Sequence, residues 1–201
     1  MSSRMPLIDA LKGLAAQVIV LHHLASYGPI AETMNILMPS LTSWFFDYGR
    51  MAVQVFLVVA GFLVARGLAP DGTPAVSHPG LLIWRRYVRL IRPFLAAMVL
   101  AIACAALARM FMDDDAIPDS PGLWQFLAHG LLLQGIFDVP SLSVGIWYVA
   151  VDFQLYALIL GLLWLAQRIG KSESAQRTLS VALVAGLGLI ALFYFNLNAA
   201  L

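Results

Sequence analysis

Pro93–Met112, PFLAAMVLAIACAALARMFM, carries one charged residue in twenty. A transmembrane α-helix needs about 20 mostly apolar residues to cross the hydrocarbon core of a bilayer. The length and composition of this stretch therefore predict a membrane-spanning helix. Met51–Leu68, MAVQVFLVVAGFLVARGL, is apolar in the same way and predicts a second one.

The whole chain has the composition of an integral membrane protein. Hydrophobic residues make up 61% of its 201 residues and charged residues 11%, against about 45–50% and about 25% in soluble domains. The net charge of +1 gives no general polyanion-binding signal, so we expect no nucleic-acid partner. The single cysteine, Cys104, lies in an apolar run, and we expect it to form neither a disulfide nor a zinc site.

Further apolar segments indicate about five or six membrane helices. Ile30–Phe46 is broken by Pro39 and carries polar residues, so it is interpreted as a loop with an interfacial segment. The first apolar segment contains a lysine and two histidines, which are foreign to a cleaved signal peptide, so we expect it to be retained. The sequence thus predicts an all-α, polytopic transmembrane helix bundle, with residues 1–201 forming a single domain. The other candidate helices are Leu7–Tyr27, the short segment Trp124–Phe137, Ile146–Ala166 and Thr178–Phe195.

Positive charge predicts the orientation of the helices. Five arginines belong to one loop, and cytoplasmic loops are enriched in lysine and arginine. We therefore expect that loop, and the N-terminus with Arg4, in the cytoplasm of a multi-pass protein of the cell (inner) membrane. The loop Asp113–Asp119 then lies outside. If Trp124–Phe137 crosses fully, the basic loop around Lys171 also lies outside, whereas if it only dips into the membrane, that loop lies inside. The five arginines are Arg66, Arg85, Arg86, Arg89 and Arg92.

The first helix carries ionisable residues, which cost roughly 2.5–3.5 kcal/mol to insert and are functional by default. Lys12 and His23 are eleven positions apart, so they share nearly the same helix face, separated by roughly 16 Å. His22 points about 100° away. Histidine is the usual general base near neutral pH. A histidine that only bonds a neighbouring helix is the alternative interpretation.

A carboxylate lies within the segment Trp147–Tyr156, WYVAVDFQLY. Tyr148, Asp152 and Tyr156 are spaced i, i+4, i+8 and therefore share one helix face. Asp152 could orient and stabilise a histidine from another helix. Alternatively, it is favoured electrostatically because it lies close to the start of the helix.

The third polar segment is Trp84–Pro93, WRRYVRLIRP. Arg85, Arg89 and Arg92 follow the spacing i, i+4, i+7 and lie on one helix face. Guanidinium forks bind phosphate in a bidentate manner. The alternative is a basic anchor that rests on anionic lipid.

Together these segments resemble the acyltransferase 3 family of integral membrane O-acyltransferases. Ile8–Ala15, IDALKGLA, is similar to the family's acidic residue followed by Leu-Arg-Gly-hydrophobic-Ala, and His23 stands eleven positions after the basic residue. Gly49–Leu63 is similar to its Gly-Val-Asp-hydrophobic-Phe-Phe-Val-hydrophobic-Ser-Gly-Phe segment. Arg85–Pro93 is similar to its Arg-Arg-x-x-Arg-hydrophobic-x-Pro region, and Trp147–Tyr156 to its Trp-Ser-Leu-x-x-Glu-x-x-Phe-Tyr segment.

The resemblance implies an acyltransferase that uses acyl-CoA, expected to be acetyl-CoA, as co-substrate. It implies a hydroxyl of a sugar, glycan or lipid as the acceptor, membrane lipids as partners, no tightly bound cofactor and no metal, and it leaves the oligomeric state open. His23 would be the catalytic base, with Asp152 orienting or stabilising it. The supporting residues would be Asp9, Lys12, His22, Trp147 and Tyr156, and the acyl-CoA phosphates would be held by Arg85, Arg86, Arg89 and Arg92, chiefly Arg86 and Arg89.

Four positions depart from the family's pattern: Lys12 replaces an arginine, Gln54 an aspartate, Ala60 a serine and Asp152 a glutamate. Family members are generally longer, so we expect this chain to lack the C-terminal helices of longer relatives. Two other interpretations stay open at this point. One is a small transporter whose polar residues conduct a proton or solute, and the other is a truncated, inactive remnant that packs with a partner.

Overall fold

The computed structural model describes residues 5–113 and 117–199, so Arg4, Asp114 and Asp115 lie outside the described residues. The secondary structure of the described part is helical and contains no β-strand, which confirms the predicted all-α class. Five helical segments in it are long and apolar enough to cross a membrane. These segments are Pro6–Ser26, Pro39–Leu68, Pro79–Ala108, Trp147–Ile169 and Glu173–Tyr194.

The chain divides into two compact units, residues 1–64 and 65–201. In the first unit, one long helix packs against two shorter helices and the turn that follows them. The second short helix continues through that turn into a further apolar helix. The elements are α1 (Pro6–Ser26), α2 (Gly28–Leu37), α3 (Pro39–Tyr48), the 3₁₀ turn Gly49–Met51, and α4 (Ala52–Leu68), most of which belongs to this unit.

The prediction of a loop over Ile30–Phe46 is wrong, because the segment forms most of α2 and α3. Pro39 separates the two helices but also begins α3 as one of its first two residues. At the first helical position the missing N–H of proline costs nothing, and its fixed φ suits the helix. Pro29 begins α2 in the same way.

Gly49 allows α1 to approach the turn after α3 closely. A Cβ atom on Gly49 would lie only 2.8 Å from the Cβ atom of His22. Real Cβ atoms do not approach this closely, and the obstacle is the fixed base of a side chain rather than its mobile end. Glycine is therefore required here for packing, since its φ of −58° is open to any residue.

The second unit is built on α5 (Pro79–Ala108), α6 (Leu123–Gly130), α7 (Trp147–Ile169) and α8 (Glu173–Ala199). Helix α7 packs against both α5 and α8. A buried cluster joins α5 and α7 to the chain between α6 and α7. Met98 of α5 is fully buried at the centre of this cluster. Its other members are Ile91, Phe94, Leu132, Leu142, Ile146 and Ala150.

The basic segment belongs to the same helix as the apolar stretch that follows it. We predicted a helix beginning at Pro93, but α5 begins at Pro79 and passes through Pro93 without ending. Proline removes one backbone hydrogen bond, and membrane helices tolerate this loss when neighbouring groups satisfy the freed carbonyl. The arginines before Pro93 therefore belong to one continuous helix with the apolar stretch.

The segment Trp124–Phe137 is not among the helices that are long enough to cross a membrane. Its only helix, α6, has eight residues and spans about 12 Å. Beyond it the chain turns, with Leu132 and Asp138 at positive φ. The chain before α5 also touches the last turn of α7: the N–H of Val76 donates to Oε1 of Gln167 over 2.9 Å. This contact favours the interpretation in which the short segment only dips into the membrane, and the sidedness of the loops stays a prediction.

Gly49→Val should destabilise the protein by about 1–3 kcal/mol, the usual cost of overpacking. Unfolding of the purified protein, followed by tryptophan fluorescence against temperature, measures this. The control is Gly61→Val, since a Cβ atom at Gly61 meets nothing within 4 Å. Equal stability of the two variants would contradict the close approach of α1 to the turn.

Single cysteines in a Cys104→Ser background should report the sidedness of the loops. Ala75→Cys and Lys171→Cys should react with a membrane-impermeant maleimide from one side of sealed vesicles, and Asp119→Cys from the other. Vesicles of both orientations supply the control. Labelling of Ala75→Cys and Lys171→Cys from opposite sides would show that the Trp124–Phe137 segment crosses the membrane.

Candidate functional site

His22 is held in place by the backbone of α3. Its Nδ1–H donates to the carbonyl oxygen of Phe45 over 2.9 Å, which assigns the proton to Nδ1 in the neutral ring. The hydroxyl of Ser26 donates to the carbonyl of His22. Together with the contact to Gly49, these bonds tie His22 to the packing of the first unit.

His23 has no such partner. Its Nδ1 atom is buried, and no hydrogen bond to it occurs in the described residues. The ring lies beside those of His22 and Tyr27, with centroids 5.4 and 5.9 Å away. A buried nitrogen without a partner normally costs about 1–3 kcal/mol. His23 therefore has a buried ring nitrogen that can bind a ligand or a proton.

The rest of the polar face of α1 has the predicted geometry. The helix is continuous over Pro6–Ser26, so Lys12 and His23 share nearly one face, as their spacing indicated. Lys12 is half-buried, and Asp9, in the first turn, is exposed.

In the second unit the structure brings together two residues that the sequence analysis had assigned to different tasks. Nη2 of Arg86 on α5 donates to Oδ2 of Asp152 on α7 over 2.6 Å. Asp152 is 8% exposed. The guanidinium of Arg86 also lies 5.1 Å from the ring centre of Tyr156, one helical turn beyond Asp152. An arginine, a carboxylate and an aromatic ring thus form one cluster, which joins α5 to α7.

The other three arginines of the basic segment are exposed. Arg85, Arg89 and Arg92 lie on successive turns of α5 and face away from its buried side, which includes Ile91. They are accessible to a phosphate group, whereas Arg86 is engaged by Asp152. Trp147, at the first residue of α7, is also exposed.

His23 and Asp152 belong to separate compact units, in residues 1–64 and 65–201 respectively. The expected contact between them therefore stays a prediction.

Sequence reasoning missed the side chains that hold the turn after α6. The hydroxyl of Tyr87 donates to the carbonyl of Gly130 over 2.8 Å, and Nε2 of Gln154 to that of Leu132 over 2.7 Å. Gln154 is a polar residue in an apolar helix, the same signal that singled out Asp152. Tyr87 gave no such signal, because an aromatic residue beside a membrane helix is common.

His129 is the other polar residue of this turn, and it is fully buried. Its Nδ1–H donates to the carbonyl of Gln125 over 2.8 Å, and its Nε2 accepts the N–H of Leu142 at 3.3 Å. Both ring nitrogens are therefore used by the backbone. His129 supports the turn, in contrast to His23.

Comparison with known proteins agrees with this architecture. The family model of the acyltransferase 3 family, described as an acyltransferase domain, matches residues 6–201. The chain is also 24% identical to the regulator of hypoxia-inducible factor 1 of Caenorhabditis elegans, over 77% of this chain and 33% of that protein. It thus spans about a third of the length of this curated relative. No solved structure matches it.

The family match covers essentially the whole described chain, and the five apolar spans are those of a multi-pass membrane protein. The four motifs that suggested the resemblance all lie within the matched residues. The chain belongs to the acyltransferase 3 family, a family of membrane acyltransferases.

Proposed function

We propose that this protein transfers an acyl group, expected to be acetyl, from acyl-CoA to a hydroxyl of a sugar, glycan or lipid acceptor. The observation that carries the proposal is the free, buried Nδ1 of His23 within a membrane helix. Family membership supports acyl transfer in general. The donor, the acceptor and the roles of individual residues are our proposals.

His23 is proposed as the general base. Its free nitrogen takes the proton of the acceptor hydroxyl while the oxygen attacks the thioester carbonyl. The new ester C–O bond forms, the C–S bond breaks, and the imidazolium returns the proton to the departing thiolate of coenzyme A. Positioned general-base catalysis contributes typically 10²–10⁴-fold to a rate. His22, bonded to Phe45, supports the ring beside it.

Asp152 is proposed as a positioning residue. An ionised carboxylate stabilises the imidazolium that forms during base catalysis and fixes the orientation of the ring. The contact with Arg86 holds the Asp152 side chain in one position. Lys12, on the polar face of α1, supplies a positive charge on the side from which the donor would enter.

The donor phosphates are proposed to bind the exposed arginines of α5. Arg85, Arg89 and Arg92 present three guanidinium groups along one face of a continuous helix, and such forks match phosphate oxygens. Arg86 instead contacts Asp152 and Tyr156, so we assign it to the contact between α5 and α7 rather than to the donor phosphates. This division of roles differs from the expectation that Arg86 and Arg89 carry most of the binding.

The proposed orientation places donor and acceptor on opposite sides of the membrane. With five crossings, the loops before α5 and after α7 share one side. The helix ends next to both loops are basic, with Arg66 and Arg85 beside the first and Arg168 and Arg177 beside the second. The positive-inside rule assigns that side, and the N-terminus, to the cytoplasm. Cytoplasmic acyl-CoA would then extend its pantetheine arm into the protein, toward the opposite end of α1, where His23 lies.

His23→Ala should lower acyl transfer by about 10²–10⁴-fold, the loss expected for a general base. The assay follows label from acetyl-CoA into the glycans and lipids of membranes that contain the variant. His78→Ala, at an exposed histidine, is the matched control and should be active. Near-normal transfer by a correctly inserted His23→Ala protein would rule out its role as base.

Arg85→Ala combined with Arg89→Ala should raise the dissociation constant for acetyl-CoA at least tenfold, because two phosphate contacts are lost. Isothermal titration with the purified protein measures it. The control, Arg50→Ala with Lys171→Ala, removes the same charge from exposed positions elsewhere. Unchanged binding by the α5 variant would leave these arginines as anchors on lipid.

A further inference from the structure

A cleft of about 390 Å³ opens between α1, α2 and α3 within the first compact unit. Its volume lies in the range of small-molecule sites, roughly 300–1,000 Å³. The proposed chemistry of His23 and the arginines makes no use of it. The residues that line the cleft include Ala25, Glu32, Asn35, Thr42, Ser43 and Phe46.

The cleft begins close to the histidine pair. Ala25 lies three residues after His22, on the same side of α1 and about 4.5 Å further along the helix. Phe46 follows Phe45, whose carbonyl holds His22. His23 points to a different side of α1, about 200° around the axis from Ala25. The cleft is thus placed to hold a part of a substrate away from the reacting atoms rather than the reacting hydroxyl itself.

Of the four polar side chains that line the cleft, two are hydrogen-bonded to other residues and two are not. Thr42 donates its hydroxyl to the carbonyl of Met38, and Ser43 donates to the carboxylate of Asp47. Glu32 and Asn35 stand one helical turn apart on α2 and line the cleft, and neither has a hydrogen bond or ion pair with the residues that the structure describes. The lining thus presents a carboxylate, which accepts hydrogen bonds, and an amide, which both donates and accepts them.

Charge and shape together indicate the ligand. The lining contains one carboxylate and no lysine or arginine. A hydroxyl or ammonium group of a ligand gains a charge-assisted hydrogen bond to Glu32, which is about twice as strong as a neutral one. A carboxylate or phosphate group there is repelled by the carboxylate of Glu32. Phe46 and Ala25 supply an apolar surface for the C–H groups of a ring.

We propose that this cleft holds the distal part of a hydroxyl-rich acceptor, and that Glu32 makes it select neutral or cationic acceptors over anionic ones. The inference rests on the proposed acyl transfer, since it concerns the acceptor of that reaction. Glu32 and Asn35 are specificity-determining residues in this account. Their replacement should raise KM for the acceptor and leave kcat close to normal, because they lie away from the reacting atoms.

The experiment measures binding of three sugars to the full chain in phosphatidylcholine nanodiscs by saturation-transfer NMR. The sugars are methyl glucoside, which is neutral, methyl glucosaminide, which is cationic, and methyl glucuronide, which is anionic. The first two should bind and the third should not. Glu32→Gln should raise the dissociation constant of the cationic sugar at least tenfold and reduce discrimination against the anionic one.

Asn35→Ala should weaken binding of the neutral and cationic sugars alike. Thr33→Ala is the matched control, because Thr33 is exposed on the same helix and does not line the cleft. Equal binding of the three sugars by the unaltered protein, binding of none, or affinities that do not change in Glu32→Gln would each overturn the proposal.

This measurement needs no acyl donor, so it separates the two proposals. If His23→Ala binds the sugars and also retains acyl transfer, the proposed role of His23 as base is wrong and the assignment of the cleft is supported. If His23→Ala loses transfer while the cleft variants keep a normal acceptor KM and normal sugar binding, the cleft assignment fails and the proposed catalysis stands.

Discussion

The ion pair between Arg86 and Asp152 is the interaction on which the second unit of the fold most depends. In a membrane protein an unpaired charge is costly, and charged residues pair with one another or face the bundle interior. Helix α5 contributes the cation and α7 the anion, over 2.6 Å. Next to this pair, Tyr87 packs against Phe153 with ring centres 5.7 Å apart. The two helices are therefore fixed at one register.

The register of α5 against α7 also determines where the non-helical chain between α6 and α7 lies. Non-helical backbone at membrane depth is tolerated only where protein or a water-filled cavity satisfies its polar groups. Tyr87, next to Arg86, binds the carbonyl of Gly130, and Gln154, two residues after Asp152, binds that of Leu132. His129 satisfies two further backbone groups. The same two helices thus supply both the ion pair and two of the side chains that hold this turn.

The sequence was sufficient for the class, the family and most of the membrane helices, because a run of about 20 apolar residues has few other physical explanations. The sequence was insufficient to place helix bounds at prolines, which we interpreted as breaks in a helix. Pro39 begins a helix and Pro93 lies within one, and only the surrounding packing distinguishes these cases from a helix end. Periodicity correctly placed Arg85, Arg89 and Arg92 on one exposed face of α5.

Pairing between distant residues was beyond such reasoning. Spacing identified Arg86 and Asp152 as unusual residues, but local spacing does not tell which partner each will meet across 66 positions. The resemblance to the family singled out His23, but the sequence could not show that His22 and His23 differ in their hydrogen bonds. The difference depends on the carbonyl of Phe45, which a short helix brings next to α1.

The most direct test of this account is a double-mutant cycle on Arg86 and Asp152, with the free energy of unfolding in mild detergent as the readout. Removal of one partner of a buried pair typically costs about 3–5 kcal/mol, whereas an apolar replacement of both is often neutral or stabilising. We expect Arg86→Met and Asp152→Leu each to destabilise the protein by about 3 kcal/mol, and the double variant to recover most of that loss. Strictly additive losses would show that the pair does not hold α5 against α7.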